Sequence, residues 1–327
     1  MQQIDMRSFE RMHMGSPTYN VALLCGGNSG EKEISKASGK SAAQALRTAG
    51  CAVTVLDPAN RETLTTLLNN PFDVAFLCLH GKGGEDGTIQ GFLEYAQLPY
   101  TGPGVLASAL AMDKSRAKAQ YISHNLPTPH SQTLFRGHPY DVDALARDFG
   151  FPCVVKATTE GSALGVYIVH SKEEMDEKIA ACFAMDDHIL VEQFIKGTEL
   201  TVAVLGNDEP FALPVIEIIP KHAFYDFESK YAPAGSQHIC PARLSEQDTK
   251  KVQDLAVRAH RALGCSGMSR TDILRDEHGA FWLLETNTIP GMTQTSLLPD
   301  AARVYGLDFP TLCMKLIEFA LEAKANK

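Results

Sequence analysis

Three short apolar segments near the start of the chain alternate with segments of helical character. We expect strands at 20–25, 52–56 and 73–79, and helices at 34–49 and 61–69 between them. Parallel strands need a crossover connection, which a helix usually supplies, so this alternation predicts a parallel sheet with helices on its faces. The first part of the chain is therefore expected to fold as an α/β unit.

The pattern changes after residue 112. In the middle of the chain we expect helices at 114–123 and 172–183, and shorter strands at 152–156, 166–169 and 189–193. The last part has a strand at 200–205, an apolar segment at 211–219, a long helix at 246–263, a β-hairpin and a closing helix at 309–325. These changes predict three domains, at 19–112, 113–200 and 201–327, and the polar residues 1–18 are interpreted as a disordered or tag-like extension.

The composition excludes several classes of protein. The 327 residues are 44% hydrophobic and 21% charged, which is ordinary for a globular protein. The net charge of −9 argues against general nucleic-acid binding. No run approaches the ~20 apolar residues needed to cross a bilayer. The eight cysteines are scattered without a C-x-x-C pair, as expected for reduced core thiols in a cytoplasmic protein.

The segment 270–287 carries polar side chains in the pattern of a β-hairpin. The sequence Asp-Glu-His-Gly at 276–279 is a turn signal between two β-prone runs. We expect Arg275 opposite Ala280, a register that places Asp272 opposite Leu283 and Arg270 opposite Glu285. Because side chains alternate along a strand, two sets form on opposite faces. The polar face holds Arg270, Asp272, Glu285 and Asn287, and the other face holds Ile273, Trp282 and Leu284.

On this register Asp272 and Glu285 are diagonal neighbours whose carboxylates can converge from about 7–8 Å. These carboxylates and the amide of Asn287 are hard oxygen ligands, suited to Mg²⁺ that is also held by substrate phosphates. The alternative is a solvated acidic hairpin. The loop Pro-Gly-Met-Thr that follows at 290–293 favours the metal site.

A glycine-bearing loop follows the expected strand that ends at Lys156. Its residues Glu160, Gly161 and Ser162 precede a further strand, and such a loop can offer backbone N–H groups to phosphates while Lys156 adds a point charge. The Walker pattern is missing, which excludes a P-loop nucleotide hydrolase. An ordinary hairpin loop remains the alternative.

Two glutamates lie at the ends of neighbouring apolar segments. Glu192 and its backbone neighbours could contact the edge of an adenine ring. Glu199 could accept hydrogen bonds from ribose hydroxyls. Taken alone, both residues are better explained as surface glutamates at strand ends.

Two further loops follow strands of the expected parallel sheet, at 26–31 and 80–87. Open α/β sheets bind ligands at the carboxyl ends of their strands, and helix N-termini favour anions. Glu31 could hold a substrate ammonium, and His80 could contact a substrate or be a simple turn residue. The first loop lacks the G-x-G-x-x-G pattern, so a dinucleotide site is not expected.

These segments together resemble a known family. The motifs are H-G-K-G-G-E-D-G-T-I-Q-G from residue 80, M-D-K from 112, E-G-S-A-L-G from 160, F-Y-D-F-E-S-K-Y from 224, and R-T-D from 270 with E-T-N-T-I-P-G-M-T from 285. They are similar to those of the D-alanine–D-alanine ligases of the ATP-grasp superfamily, from about residue 20 to the last helix.

The resemblance implies a fold and a reaction. The fold is an N-terminal parallel-sheet (pre-ATP-grasp) domain followed by a two-subdomain ATP-grasp fold whose two α/β lids clasp ATP. The reaction phosphorylates the carboxylate of one D-alanine, and the amine of a second then displaces phosphate to give the dipeptide. ATP, two Mg²⁺ (or Mn²⁺) ions, a homodimer and a role in cytoplasmic peptidoglycan precursor synthesis are also implied.

The resemblance also implies roles for individual residues. Glu31 resembles the anchor of the first ammonium, linked through Ser162 to Tyr231, and His80 lies near the first carboxylate. Nucleotide-binding positions are matched by Lys114, Lys156, Glu160, Gly161, Glu192 and Glu199. Arg270 and the Gly291 N–H resemble the pair that stabilises the oxyanion. Ser296 and Leu297 resemble the residues that hold the second carboxylate. Lys230 resembles a substrate-binding residue. Asp272, Glu285 and Asn287 match the metal ligands.

Two alternatives remain open. One is a ligase that makes D-alanyl-D-lactate or another ATP-grasp carboxylate–amine ligase, although the pair Lys230-Tyr231 resembles the dipeptide-forming enzymes. The other is a non-catalytic nucleotide sensor on the same fold, which would not need the oxyanion pair. The polar segment 221–240 is expected to be a mobile loop that closes over the substrates.

Overall fold

The computed structural model describes residues 18–220 and 236–325. The N-terminal part contains a sheet of parallel strands in the order β2-β1-β3, as the alternation of apolar and helical segments predicted. Its strands are β1 (Asn20–Leu24), β2 (Ala52–Leu56) and β3 (Val74–Leu77). Its helices are α1 (Lys32–Thr48), α2 (Arg61–Asn69), α3 (Thr88–Tyr95) and α4 (Val105–Met112). The central strand β1 and its neighbour β3 are almost fully buried, whereas β2 is a partly exposed edge.

The middle of the chain forms an antiparallel sheet in the order β4-β7-β5-β6. Its strands are β4 (Ser131–Phe135), β5 (Cys153–Ala157), β6 (Val166–Val169) and β7 (His188–Gln193). Helix α5 (Lys114–Ser123) precedes it, and α6 (Val142–Phe149) and α7 (Lys172–Met185) cover one face. Side chains of the other face, such as Val154 and Ile168, line a cleft between this sheet and the third one.

The third sheet is antiparallel, in the order β11-β10-β8-β12-β13, with β9 paired to β8. Its strands are β8 (Gly197–Leu205), β9 (Phe211–Ala212), β10 (Ile216–Pro220), β11 (Ser236–Ile239), β12 (Met268–Asp276) and β13 (Phe281–Asn287). Helix α8 (Glu246–Ala262) packs on this sheet, and α9 (Leu297–Tyr305) and α10 (Phe309–Ala325) end the chain.

Several elements cross the expected domain boundaries or pack across them. Strand β8 runs across the expected boundary at residue 200. Helix α4 packs into the core of the third sheet through Ala107 and Ala111. Helix α10 returns to the N-terminal unit, where Leu316 and Ile317 belong to the same core as Leu46 of α1. These contacts tie the first and third units into one body.

The register of the β12–β13 hairpin differs from the expected one. Arg270 lies opposite Asn287, and Asp272 lies directly opposite Glu285 rather than diagonal to it. The register then shifts, so that Ile273 pairs with Leu283 and Arg275 pairs with Phe281. The expected pairs were therefore wrong for two reasons. Arg275 pairs with Phe281 rather than Ala280, which shifts the register by one residue at the turn, and the unpaired residue Leu284 forms a β-bulge that shifts it by one more.

The bulge also changes which side chains share a face. Ile273 is buried in the core, as expected. Leu284 was expected beside it but lines the same cleft as Asp272 and Glu285. Trp282 was expected to be buried; it is only partly buried, and its indole N–H donates to Asp276 Oδ2 at 2.9 Å. The bulge thus turns two consecutive residues, Leu284 and Glu285, towards one compartment.

Side-chain caps fix where several helices begin. Asp113 accepts hydrogen bonds from the backbone N–H groups of Ser115 and Arg116, which makes Lys114 the first residue of α5. Ser171 caps α7 and Ser245 caps α8 in the same way. The cap on α5 sets the orientation from which Lys114 and, one turn later, Lys118 project.

The state of the cysteines and the character of the helices can be compared with the expectations from composition. All eight cysteines are free, and all except Cys240 are buried. Within the described ranges, no helix combines the length and the apolar character that crossing a bilayer requires.

Candidate active site

Two adjoining clefts collect the candidate residues. The larger, of about 520 Å³, lies where α1, the loop after β3 and the loop after β13 meet. The smaller, of about 250 Å³, lies between the second and third sheets. The candidate residues on the larger cleft are Glu31, His80, Gly161, Ser162, Arg270, Asn287, Gly291, Ser296 and Leu297. Those on the smaller cleft are Lys156, Glu192, Glu199 and Asp272.

Three residues line both clefts and mark their junction. These are Lys114, Glu160 and Glu285. The Lys114 ammonium donates to the Glu160 carbonyl at 2.7 Å and lies 3.2 Å from the Glu285 carboxylate. Every candidate residue within the described ranges thus lines this pair of clefts. Lys230 and Tyr231 lie outside the described residues.

Glu31 lines the larger cleft. It precedes α1 and is buried, and the hydroxyl of Ser162 donates to its Oε1 atom. A Cβ atom at either Gly81 or Gly161 would lie 2.8 Å from Glu31 Oε2, so a side chain at either position would displace this carboxylate. Ser162 adopts a φ of 54°, which is uncommon for a residue with a side chain. The contact therefore joins the first unit to the β5–β6 loop.

The loop after β13 is held against the N-terminal unit by Ser38 and His80. The Ser38 hydroxyl accepts a hydrogen bond from the Met292 N–H at 3.2 Å and lies 3.3 Å from His80 Nε2. Burial lowers the pKa of His80, which favours the neutral imidazole. A Cβ at Gly291 would lie 2.9 Å from Ser296 Oγ, so the loop approaches the start of α9 closely.

The hairpin carboxylates are each paired with a cation. The Arg270 guanidinium donates to both oxygens of Asp272 at 3.0 Å, and Thr201 donates to Asp272 Oδ1 at 2.6 Å. Glu285 is paired with Lys114, as described above. Asn287 Oδ1 accepts a hydrogen bond from the Ile289 N–H at 3.0 Å.

These oxygens fit a metal that the protein shares with a substrate. Asp272 and Glu285 are directly opposed, and Asn287 follows on the same face. Within residues 18–220 and 236–325, no group of three or more His, Cys, Asp or Glu side chains could hold a metal alone. Two carboxylates and an amide leave coordination positions that phosphate oxygens and water would fill, as Mg²⁺ in nucleotide sites requires.

Glu192 occupies a buried position between two lysines. Its carboxylate lies 2.8 Å from Lys156 Nζ and 2.6 Å from Lys118 Nζ. Burial opposes ionisation, but the two lysines outweigh it and lower the pKa of Glu192. At 3% exposure, Glu192 is not the surface residue that the sequence alone favoured. Glu199, on the wall of the same cleft, is partly buried.

Sequence analysis missed three residues of this region. Glu85 lines the larger cleft and accepts from the Gly81 N–H at 2.7 Å, and burial followed by the charge of Glu31 raises the pKa of Glu85 to about 8. Glu85 lies in the quoted motif that begins at residue 80, which was the available signal. Lys118 and Asp186 had no comparable signal, because each acts through partners distant in sequence.

Asp186 fixes the base of the β5–β6 loop. Its Oδ2 atom accepts from the N–H groups of Thr158 and Thr159 at 3.0 and 2.8 Å, and from their hydroxyls at 3.0 and 2.9 Å. The neighbouring His188 Nε2 lies 2.9 Å from Asp113 Oδ2, at the cap of α5. The loop with Gly161 and the helix with Lys114 are therefore fixed relative to each other.

Comparison with known proteins identifies relatives over almost the whole chain. A family model described as "D-ala D-ala ligase C-terminus" matches residues 126–318, and one described as "D-ala D-ala ligase N-terminus" matches 57–103. The D-alanine–D-alanine ligase of Desulforamulus reducens is 45% identical over 309 residues, which cover 92% of this chain and 98% of that protein. The ligase of Desulfotalea psychrophila is 46% identical over 312 residues, covering 94% and 96%.

Solved structures agree with the sequence comparison. The crystal structure of the D-alanine–D-alanine ligase from Bacillus anthracis superposes with a TM-score of 0.83 at 31% identity, covering 94% of this chain and 99% of that one. The same enzyme complexed with ATP gives a TM-score of 0.83 at 30% identity and the same coverage.

The fold and its paired clefts define an ATP-grasp enzyme, in which two antiparallel sheets enclose a nucleotide site. Together with the relatives just described, this fold makes the chain an ATP-dependent ligase that forms a peptide bond. The chain belongs to the D-alanine–D-alanine ligase family.

Proposed function

We propose that this enzyme joins two molecules of D-alanine, with conversion of ATP to ADP and phosphate, and so supplies a precursor of peptidoglycan. The names of the relatives support the substrate. The single observation that carries the proposal is the junction of the two clefts at Lys114, Glu160 and Glu285. It would bring the terminal phosphate of a nucleotide in one cleft to a carboxylate in the other.

The first step would form an acyl phosphate. A carboxylate oxygen of the first D-alanine attacks the γ-phosphorus, and ADP leaves. Glu31 would hold the ammonium of this D-alanine, with His80 near its carboxylate. Lys114 and Lys156 would bind the phosphates, supported by the backbone at Glu160 and Gly161. Glu192 and Glu199 would bind the nucleoside.

The second step would form the peptide bond. The amine of the second D-alanine attacks the carbonyl carbon of the acyl phosphate, loses a proton, and phosphate leaves from the tetrahedral intermediate. Arg270 and the Gly291 N–H would stabilise the oxyanion. Ser296 and Leu297 would hold the second carboxylate. Tyr231 and Lys230, outside the described residues, would complete the site from the segment 221–240.

Asp272, Glu285 and Asn287 would hold two Mg²⁺ or Mn²⁺ ions together with the phosphates. When bound, such ions neutralise charge on the transferring phosphoryl group. The direct opposition of Asp272 and Glu285 supports this assignment, because it brings two anionic side chains to one face of the hairpin. Bound ions would take the place of the contacts that these carboxylates make with Arg270 and Lys114.

We further propose a cytoplasmic homodimer with three structural units. Strand β8 suggests that the boundary between the second and third units precedes Gly197 rather than following residue 200. The first boundary, at residue 112, separates α4 from the capped start of α5.

A ligase that accepts D-lactate as the second substrate is the alternative. The resemblance of Lys230-Tyr231 to the dipeptide-forming enzymes disfavours it, and no described contact bears on that pair. A nucleotide sensor is disfavoured by the retained oxyanion pair and by the compartment that contains Glu31.

The test is phosphate release from ATP and Mg²⁺ by the purified protein. Release should depend on D-alanine and should not occur with L-alanine, and mass spectrometry should identify D-alanyl-D-alanine in equal amount. ATP hydrolysis that is independent of D-alanine, or release without dipeptide, would contradict the proposal. Equal amounts of D-alanine and D-lactate in a competition distinguish the dipeptide-forming enzyme from the depsipeptide-forming one.

A further inference from the structure

Lys118 is a buried lysine to which the reaction above assigns no role. It lies on α5, one turn after Lys114, and its side chain is 2% exposed. It does not belong to the wall of either cleft. A buried ammonium is costly unless it is paired, so its position needs a reason.

The Lys118 ammonium is fixed by two partners from different elements. It lies 2.6 Å from Glu192 Oε2 on β7, and it donates to the Thr128 hydroxyl at 2.7 Å. That hydroxyl in turn donates to the Leu283 carbonyl on β13 at 2.8 Å. Leu283 immediately precedes the bulge at Leu284. Lys118 therefore connects the second sheet to the strand that presents Glu285.

The charges around Glu192 do not balance. One buried carboxylate is shared by the ammonium groups of Lys118 and Lys156, at 2.6 and 2.8 Å. The group of three carries a net positive charge, and of the two lysines only Lys156 lines the smaller cleft. Without Lys118, Glu192 would neutralise Lys156 and leave no excess positive charge for a polyphosphate.

We propose that Lys118 is a positioning residue for nucleotide binding, which pairs with Glu192 so that Lys156 remains available to the phosphates. The proposal rests on the assignment of Lys156 and Glu192 to the nucleotide. It makes Lys118 act through Glu192 rather than by contact with substrate.

The proposal has a pH signature. The charged groups that face Lys118 are Glu192 from β7 and Lys156 from β5, with the neutral Thr128 beside them. Burial, together with repulsion from Lys156, outweighs attraction to Glu192 and lowers the pKa of Lys118 to about 8. Lys118 is charged below that pH and neutral above it, so KM for ATP should rise as pH increases beyond about 8. Arginine keeps its charge throughout this range.

The experiment compares Lys118→Met and Lys118→Arg with the parent in KM for ATP, in kcat, and in ATP affinity by titration calorimetry. Lys118→Met should raise KM for ATP and the dissociation constant on the order of tenfold, the scale of one charge-assisted interaction, and change kcat less. Lys118→Arg should restore the parent values at pH 7 and remove the rise above pH 8. Arg116→Met, on the exposed face of the same helix, is the matched control and should leave KM unchanged.

Parent-like KM and ATP affinity in Lys118→Met would overturn the proposal, as would an unaltered alkaline rise in Lys118→Arg. If Lys118→Met does not fold, which circular dichroism would show, the pH profile of Lys118→Arg decides alone. Calorimetry needs no D-alanine, so it tests Lys118 even if D-alanine-dependent turnover were absent and the proposed function were wrong.

Discussion

At the scale of single residues, the two opposed carboxylates of the hairpin are held by different partners. Asp272 is fixed by Arg270 and Thr201. Glu285 is paired with Lys114, and its side chain is 30% exposed. Glu285 also lies at the junction of the two clefts. Its replacement should therefore affect the transferring phosphate more than it affects the fold.

Glu285→Gln removes one anionic ligand while it keeps the shape of the side chain. We expect D-alanine-dependent ADP formation to fall nearly to zero, because one proposed metal position loses its charge. A coupled assay for ADP measures this, and thermal unfolding confirms the fold. Glu277→Gln, in the exposed turn of the same hairpin, is the control and should be fully active. Normal turnover by folded Glu285→Gln would disprove the metal assignment.

Arg270→Met tests the proposed oxyanion contact. Loss of one preorganised donor typically lowers kcat by ~10²–10³, so kcat should fall far more than KM for ATP rises. Arg270→Lys is the matched variant: it retains the charge but cannot make two parallel contacts with Asp272. A rise in KM for ATP alone would make Arg270 a binding residue.

The shared face of the polar residues was predictable from sequence, but the placement of Trp282 and Leu284 and the cross-strand pairs were not. The expected register and the observed one at Asp272 differ by two residues, which preserves the alternation of side chains. Arg270, Asp272 and Glu285 therefore share a face in both. An inserted residue such as Leu284 leaves no mark in the sequence, so the direct opposition of the carboxylates could not be foreseen.

At the scale of elements, the long periodic segments and several short strands, such as β2 and β6, were predicted, whereas β4 and α6 were missed. Strand β4 is at the edge of its sheet, and only Leu134 among its five residues is buried, so it lacks a clear alternation. Helix α6 has eight residues and buries only Leu145. Unlike β2 and β6, whose β-branched and aliphatic residues favour a strand, β4 and α6 have no clear apolar run, so they depend on the surface onto which they pack.

The position of the β5–β6 loop depends on the carboxylate of Asp186, which lies between α7 and β7. Asp186→Ala removes the acceptor of four hydrogen bonds from Thr158 and Thr159, so the loop should lose its position at the junction. We expect KM for ATP to rise about tenfold or more, with a stability loss of about 1–3 kcal/mol from the unsatisfied donors. Steady-state kinetics and thermal unfolding measure the two effects.

Asp186→Asn is the informative partner of that variant. Its amide oxygen can occupy the Oδ2 position and keep the four bonds from Thr158 and Thr159. Its amino group, a donor, replaces Oδ1, so only the bond from the Asp187 N–H, now 2.8 Å, is lost. KM for ATP should therefore stay close to that of the parent. If Asp186→Asn and Asp186→Ala were equally impaired, the charge and not the hydrogen bonds would control the loop.

At the scale of the whole molecule, the clefts exist because distant parts of the chain meet. Helix α10 packs on the N-terminal unit, and α4 packs on the third sheet. Periodicity in a sequence identifies the apolar face of a helix but not the surface that covers it. The family motifs predicted which residues line the site, whereas the connection of two compartments through Lys114 and Glu285 required the packed structure.

The choice of the second substrate belongs to this scale, because it would depend on where Tyr231 lies relative to the two clefts. The sequence predicted a mobile loop over 221–240, but Ser236–Ile239 form strand β11 of the third sheet, and Tyr231 lies outside the described residues. We predict from the sequence that Tyr231 presents a neutral phenol near the incoming amine, whereas a lysine there would repel the ammonium of D-alanine and favour D-lactate. Tyr231→Lys should increase the share of depsipeptide, most strongly as pH is lowered and more of the amine is protonated.

The measurement is the product ratio from equal D-alanine and D-lactate across a pH series. Tyr231→Phe, which keeps a neutral ring, is the control and should retain the preference for dipeptide. A product ratio in Tyr231→Lys that equals the parent's at every pH would show that this position does not select the nucleophile.

The shared wall between the clefts has a consequence for ligand design. Lys114 and Glu285 approach each other to 3.2 Å, and both face the two compartments. A single molecule with an amino-acid mimic at one end and a nucleobase mimic at the other would have to pass this point. An anionic linker would compete with Glu285 for Lys114, so the charge of the linker should affect how tightly such an inhibitor binds.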